Sequence, residues 1–120
     1  GQFLGGSGIK ERPTLNMCSP GTEVDINGSK AENHCISSSS DTYHNDDWIS
    51  VEFLVFSDSI VHQIIKRDTV ISYSNIRLGG TYLSDNFTDK IDQPLKEGYI
   101  SLQSEGHPIE FRNIKIKEFD

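Results

Sequence analysis

Apolar and polar residues alternate along much of this chain, in short runs separated by turn-forming residues. In "WISVEFLVF", residues 48–56, Ile49, Val51, Phe53 and Val55 share one parity, and Trp48, Glu52, Leu54 and Phe56 share the other. A period of two belongs to β-strands, whose successive side chains point to opposite faces. Apolar residues on both parities predict a strand partly covered on both sides. "SIVHQIIK" at 59–66 and "TVISYS" at 69–74 follow turn-like breaks at Ser57-Asp58 and Lys66-Arg67-Asp68, so the three runs predict an antiparallel meander. Upstream, "TEVDIN" at 22–27 and "ENHCIS" at 32–37 predict a pair joined through Gly28-Ser29. Near the C-terminus, "EGYISLQSEGHPIEFRNIKIKEF" predicts a hairpin of 98–105 with 109–118. Its apolar phase changes from Ile109 and Phe111 to Ile114 and Ile116, the mark of a β-bulge within 111–114.

Helical periodicity is almost absent. "SSSSDTYHNDD" at 37–47 reads as a polar loop, and 78–98 as a long irregular excursion. Short strands separated by turns predict an all-β fold, an antiparallel β-sandwich or jelly roll. With 120 residues the chain holds one domain, or the C-terminal part of one. The opening "GQFLGGSGIKERP" reads as the middle of a sandwich, so the expected neighbours are further N-terminal strands or another chain.

The net charge of −7, with basic residues scattered among acidic ones, weighs against a nucleic-acid partner. The longest apolar run, "VEFLVF", is far short of the ~20 residues of a membrane helix, so no membrane insertion is expected. Cys18 and Cys35 have no Cys-x-x-Cys spacing, which makes zinc a poor reading. They are either a disulfide or two independent thiols. A disulfide closing that loop would stabilise by about 3 kcal/mol in the chain-entropy picture.

Within the C-terminal hairpin, Gln103, Glu105, Glu110 and Arg112 have the parity to project from one side. They are either a solvated face with a weak Glu–Arg pair or a set of planar, multiply hydrogen-bonding groups suited to sugar hydroxyls. The phase slip would then hold Arg112 at a site while Ile114 and Ile116 return to the core. His107 lies in the turn beside Glu105, and His62 sits mid-strand between Ile60 and Ile64, where a core-edge histidine bonded to backbone is expected. His34 and His44 have no partner that spacing identifies. Glu23 and Asp25 share a strand face, as a solvated edge or as paired carboxylates. Trp48 opens an apolar strand and is expected in the core; Tyr43, Tyr82 and Tyr99 are the better sugar platforms.

The segment "GYISLQSEGHPIEFRNIKI", preceded in order by "GGSGI", "RPTLNMCSPGTEV", "HC" and "DDWISVEFLV", resembles the 3-keto-disaccharide hydrolase domain family. The resemblance runs through almost the whole chain and is most specific in the terminal hairpin. It implies a concanavalin A-like jelly roll, a periplasmic or secreted location, and hence oxidation of Cys18 and Cys35 to a disulfide. Family domains usually carry further strands before "GGSGI", which this chain lacks. The activity implied is cleavage of 3-keto-glycosides by base-assisted elimination followed by hydration, with a non-catalytic glycan-binding module as the alternative. On this basis Glu105 or His107 is the expected base or acid, and Arg112 the group on the oxyanion or a sugar hydroxyl. Arg12, Glu23, Gln103 and Glu110 are the expected substrate contacts. No cofactor is required, although a divalent metal could take the role of the arginine.

Overall fold

The computed structural model describes residues 1–57 and 59–119. The fold is all-β and antiparallel, in two sheets. Strands β1 (Met17–Cys18) and β4 (Cys35–Ile36) form a two-stranded ribbon. The larger sheet has the order β3-β2-β7-β6-β5, built from β2 (Thr22–Ile26), β3 (Ser29–Lys30), β5 (Val51–Phe56), β6 (Ile60–Ile65) and β7 (Asp68–Leu78). One short 3-10 helix, Asp85–Lys90, lies in the excursion after β7.

The expected meander is present as β5-β6-β7. Its second turn is two residues long, closed by the Ile65–Asp68 pair, with Lys66 at φ 50° and Arg67 at φ 75°. A left-handed pair matches the twist of the flanking strands, but without glycine each such residue costs about 1–2 kcal/mol. Lys66 recovers part of this by placing its ammonium 4.8 Å from the centroid of Tyr43.

Two expectations are corrected. The 22–27 strand does not pair with 32–37. Asn27 and Gly28, at φ 52° and 79°, form the tight turn, so the chain returns at once as Ser29–Lys30. Residues 35–36 pair instead with Met17–Cys18, placing Cys18 opposite Cys35, and the disulfide expected from the resemblance is present. Nor do 98–105 and 109–118 form a hydrogen-bonded hairpin: 98–119 contains no strand. The phase slip after Arg112 has a local cause, because Asn113 sits at φ 55° and breaks the extended run.

The two faces of the large sheet differ. Val61, Gln63 and Ile65 of β6 are buried, while Ile60, His62 and Ile64, of opposite parity, are only partly covered. The buried face packs under the N-terminal third of the chain: Leu15 joins Ile65 and Val70, flanked by Phe3, Tyr43, Ile49 and Val51. Phe3 meets Phe53 edge-on at 6.3 Å. Hydroxyl bonds seal this layer, as Ser38 and Ser40 both donate to the Thr14 carbonyl, at 2.6 and 2.8 Å. The other, open face of the sheet is only partly covered by the described residues.

Candidate functional site

Register assigns the residues of the open face. Asp25 pairs with Ser74, Ser74 with Ile60, and Ile60 with Phe56, giving one row across the sheet. The next row is Ser72–His62–Leu54. On the far side of the first row, beyond a register shift between Glu23 and Asp25, Glu23 pairs with Arg77. Asn75, at φ 51°, is the extra residue on β7.

The edge of this face is an ionic cluster. Arg77, with 13% of its side chain exposed, donates to Asp25 Oδ1 at 3.0 Å and to the Asn75 carbonyl at 2.8 Å. It also lies 3.6 Å from Glu23 and 3.9 Å from Asp92. Lys30 pairs with Glu23 at 2.5 Å. Asp25 is held below the usual carboxylate range chiefly by the Asn75 amide; desolvation, next in size, opposes this, and Arg77 adds smaller lowering contributions through its hydrogen bond and its charge. The chain can close around Glu23 because two glycines follow β7. A Cβ on Gly79 would meet Glu23 Cδ at 3.2 Å, and Gly80 is at φ 70° with the Thr22 carbonyl 3.1 Å from where its Cβ would stand.

In the centre of the face, Ser72 Oγ lies 2.7 Å from His62 Nδ1. This bond is to a side chain, not to backbone as the sequence suggested. It fixes the ring and leaves Nε2 as its remaining donor or acceptor position. Phe56 approaches His62 edge-on, with centroids 5.9 Å apart. Phe56 is half exposed, so the imidazole is flanked by an accessible aromatic ring.

The residues predicted from the C-terminal segment lie elsewhere. Gln2 donates to Glu105 Oε2 at 2.9 Å. His107 bridges the Glu105 and Phe3 carbonyls, each at 3.1 Å, so its ring ties this segment to the N-terminal one. Phe111 packs edge-on against Phe3 at 5.6 Å. Arg112 stacks on Trp48, 3.9 Å from the ring centroid, and Trp48 is half exposed rather than in the core. Gln103 and Glu110 are exposed. Arg12 is exposed too, bonded to the Gly5 carbonyl at 2.9 Å. Arg112 on Trp48, and Phe111 and His107 through Phe3, which meets Phe53, lie at the β5 side of the sheet, whereas Glu23 is on β2. Three strand spacings separate β2 from β5, about 14 Å. Glu23 is therefore not brought together with Glu105 and Arg112. Of the expected platforms, Tyr82 and Tyr99 are exposed, while Tyr43 packs against the core cluster.

Arg77, Asn75 and Ser72 were not singled out from the sequence. The available signal was "NIRLGG", an arginine at the end of a strand directly before two glycines. Two surface hollows lie among the described residues. One, about 760 Å3, is lined by Leu78, Phe87, Lys90, Pro94 and Leu95; the other, about 520 Å3, by Glu11, Pro13, Thr42 and His44. Among the described residues no three His, Cys, Asp or Glu side chains converge as a metal-binding group.

No curated protein and no solved structure matches the chain in comparisons with known proteins. The profile of one domain family does match, over residues 7–117, nearly the whole length. That family is described as the 3-keto-alpha-glucoside-1,2-lyase-like domain, and this chain belongs to it.

Proposed function

We propose that this domain cleaves 3-keto-glycosides on the open face of its five-stranded sheet, with His62 as the proton-transfer group. The observation that carries the reading is the His62–Ser72 pair, a ring held at 2.7 Å through Nδ1 on a central strand of the uncovered face. The family membership supports a carbohydrate as substrate.

A ketone at C3 acidifies the C2 proton. His62 Nε2, as the neutral base, takes that proton, and the electron pair forms the enolate with its charge on the C3 oxygen. The enolate collapses to expel the C1 oxygen substituent, which leaves with a proton, and a C1–C2 double bond remains. Water adding across that bond, oxygen to C1 and proton to C2, completes net hydrolysis. Ser72 orients the base. Asp25, which gathers Asn75 and Arg77, pairs with Ser74, about 7 Å along β7 from Ser72, and lies two strand spacings, about 10 Å, across the sheet from the strand of His62. This group supplies paired donors and acceptors for hydroxyls of the adjoining sugar. The five-stranded sheet supports completion as a concanavalin A-like sandwich, and the disulfide supports an oxidising, exported location.

The half-exposed ring of Phe56 favours a second reading, a glycan-binding module that stacks a pyranose there without chemistry. Turnover of a 3-keto-glucoside separates the two. On the catalytic reading, His62→Ala lowers the rate about 100-fold or more, while Glu105→Gln, whose side chain contacts Gln2, leaves it within a few-fold. The reverse pattern would return the chemistry to Glu105, His107 and Arg112. Absence of turnover, with glycan binding that Phe56→Ala abolishes, would establish the module.

A further inference from the structure

We propose that the open edge of β5 is an interface between two copies of this chain, filled by residues 114–117 of the second copy. Among the described residues β5 pairs with β6 alone, so its outer edge presents a row of backbone donors and acceptors. Phe53, Val55 and Phe56 are 43%, 55% and 51% exposed along it. An edge that is apolar, exposed and six residues long is a template for strand addition.

The same chain carries a strand-like run without a sheet. In "IKIK", residues 114–117, Ile114 and Ile116 are 66% and 76% exposed. As an added strand it would place these two isoleucines on one face, continuing the Val51, Phe53 and Val55 surface. Lys115 and Lys117 would fall on the other, alongside Glu52.

Charge selects this occupant. Residues 41–57, which contain β5, hold Asp41, Asp46, Asp47 and Glu52 and no Lys or Arg. Residues 114–117 hold Lys115 and Lys117 and no acid. Two β5 edges meeting each other would oppose like charges, whereas 114–117 against β5 opposes unlike ones. Geometry makes the exchange intermolecular. Within its own chain Arg112 is anchored on Trp48, Asn113 in the left-handed region then breaks the extended run, and Ile114 and Ile116 are exposed with no strand partner among the described residues. Each copy gives one strand and receives one, which closes about a two-fold axis.

The test is sedimentation equilibrium of the intact, oxidised chain over a wide range of protein concentration, at low and high salt. A concentration-dependent dimer is expected, weakened by salt. Lys115→Glu with Lys117→Glu, both at exposed positions, should weaken association at least tenfold, and adding Glu52→Lys should restore part of it. A monomer at every concentration overturns the proposal, whether hydrogen exchange finds the β5 edge open or protected by another part of its own chain. A dimer indifferent to the charge reversals overturns it as well.

Discussion

Replacing Gln63 by methionine is expected to leave the protein as stable as the wild type, or more so. Gln63 is fully buried on the covered face of β6, where its Nε2 donates to the Tyr73 hydroxyl at 3.1 Å. Its Oε1 has no hydrogen-bond partner among the described residues. An orphaned buried acceptor costs about 1–3 kcal/mol, and a neutral hydrogen bond contributes about 1 kcal/mol. Methionine removes both the penalty and the bond while keeping nearly the same volume. The net change is therefore about 0 to 2 kcal/mol in favour of the variant.

Two further substitutions bracket the argument. Gln63→Ala also removes the orphan but leaves a cavity, and should come out about 1–3 kcal/mol below Gln63→Met. Gln63→Glu puts a carboxylate at a fully buried position and should be destabilised by several kcal/mol at neutral pH. That loss should disappear as the pH falls below about 4, where the side chain is protonated in both folded and unfolded chains. The assay is urea unfolding followed by circular dichroism under oxidising conditions, with midpoints compared at constant slope. If Gln63→Met unfolds more than about 2 kcal/mol below the wild type, the Oε1 atom is satisfied in solution and the ledger fails.

Two other outcomes follow from the same coordinates. Leu15 is fully buried yet stands at φ 56°, so Leu15→Ala should cost about 3 kcal/mol. Leu15→Gly should match or exceed the alanine variant, reversing the usual order, because a Cβ costs about 1–2 kcal/mol in the left-handed region; a glycine variant clearly weaker in urea than the alanine one would show the backbone there to be unstrained. Burial raises the Tyr73 phenol above its ordinary value, outweighing the Gln63 amide, so its contribution is present below about pH 10 and lost as pH rises through the raised value. Asp25 is lowered, so its contribution is present above about pH 4 and lost as pH falls. Stability measured against pH should show a plateau between these limits. Tyr73→Phe should flatten its alkaline limb and Asp25→Asn its acid limb, and a limb unchanged by its own substitution refutes that assignment.

The meander was legible because period-two alternation is local: each of β5, β6 and the first half of β7 shows it without reference to its neighbours. It failed at three places, each for a stated reason. β7 continues to Leu78, but Asn75 in the left-handed region shifts the parity, so "NIRL" no longer alternates with "VISYS". The pairing of 22–27 was misassigned because two adjacent turn pairs were available, Asn27-Gly28 and Gly28-Ser29, and the first has the φ values a two-residue hairpin needs. The alternation of 98–118 is genuine, yet alternation specifies only how a strand would present its faces. It does not supply a partner, and the described chain gives it none.

The same distinction separates what could be read of the site from what could not. Glu23 and Asp25 are two residues apart, so their shared face follows from parity alone. Arg77 is more than fifty positions away, and Ser72 is ten positions from His62. Both become neighbours only through the register of β7 with β2 and with β6, and each register contains a shift. An irregular register cannot be counted out from the ends of the strands. It must be fixed by the turns and by the packing of the covered face, where Gln63, Val61 and Ile65 lock β6 against the N-terminal layer. The open face inherits its alignment from that packing. Polar groups such as His62 and Ser72 therefore meet at hydrogen-bond distance because the apolar residues on the reverse side allow one register, and a change on the covered face that slips β6 by one residue would turn His62 away from Ser72.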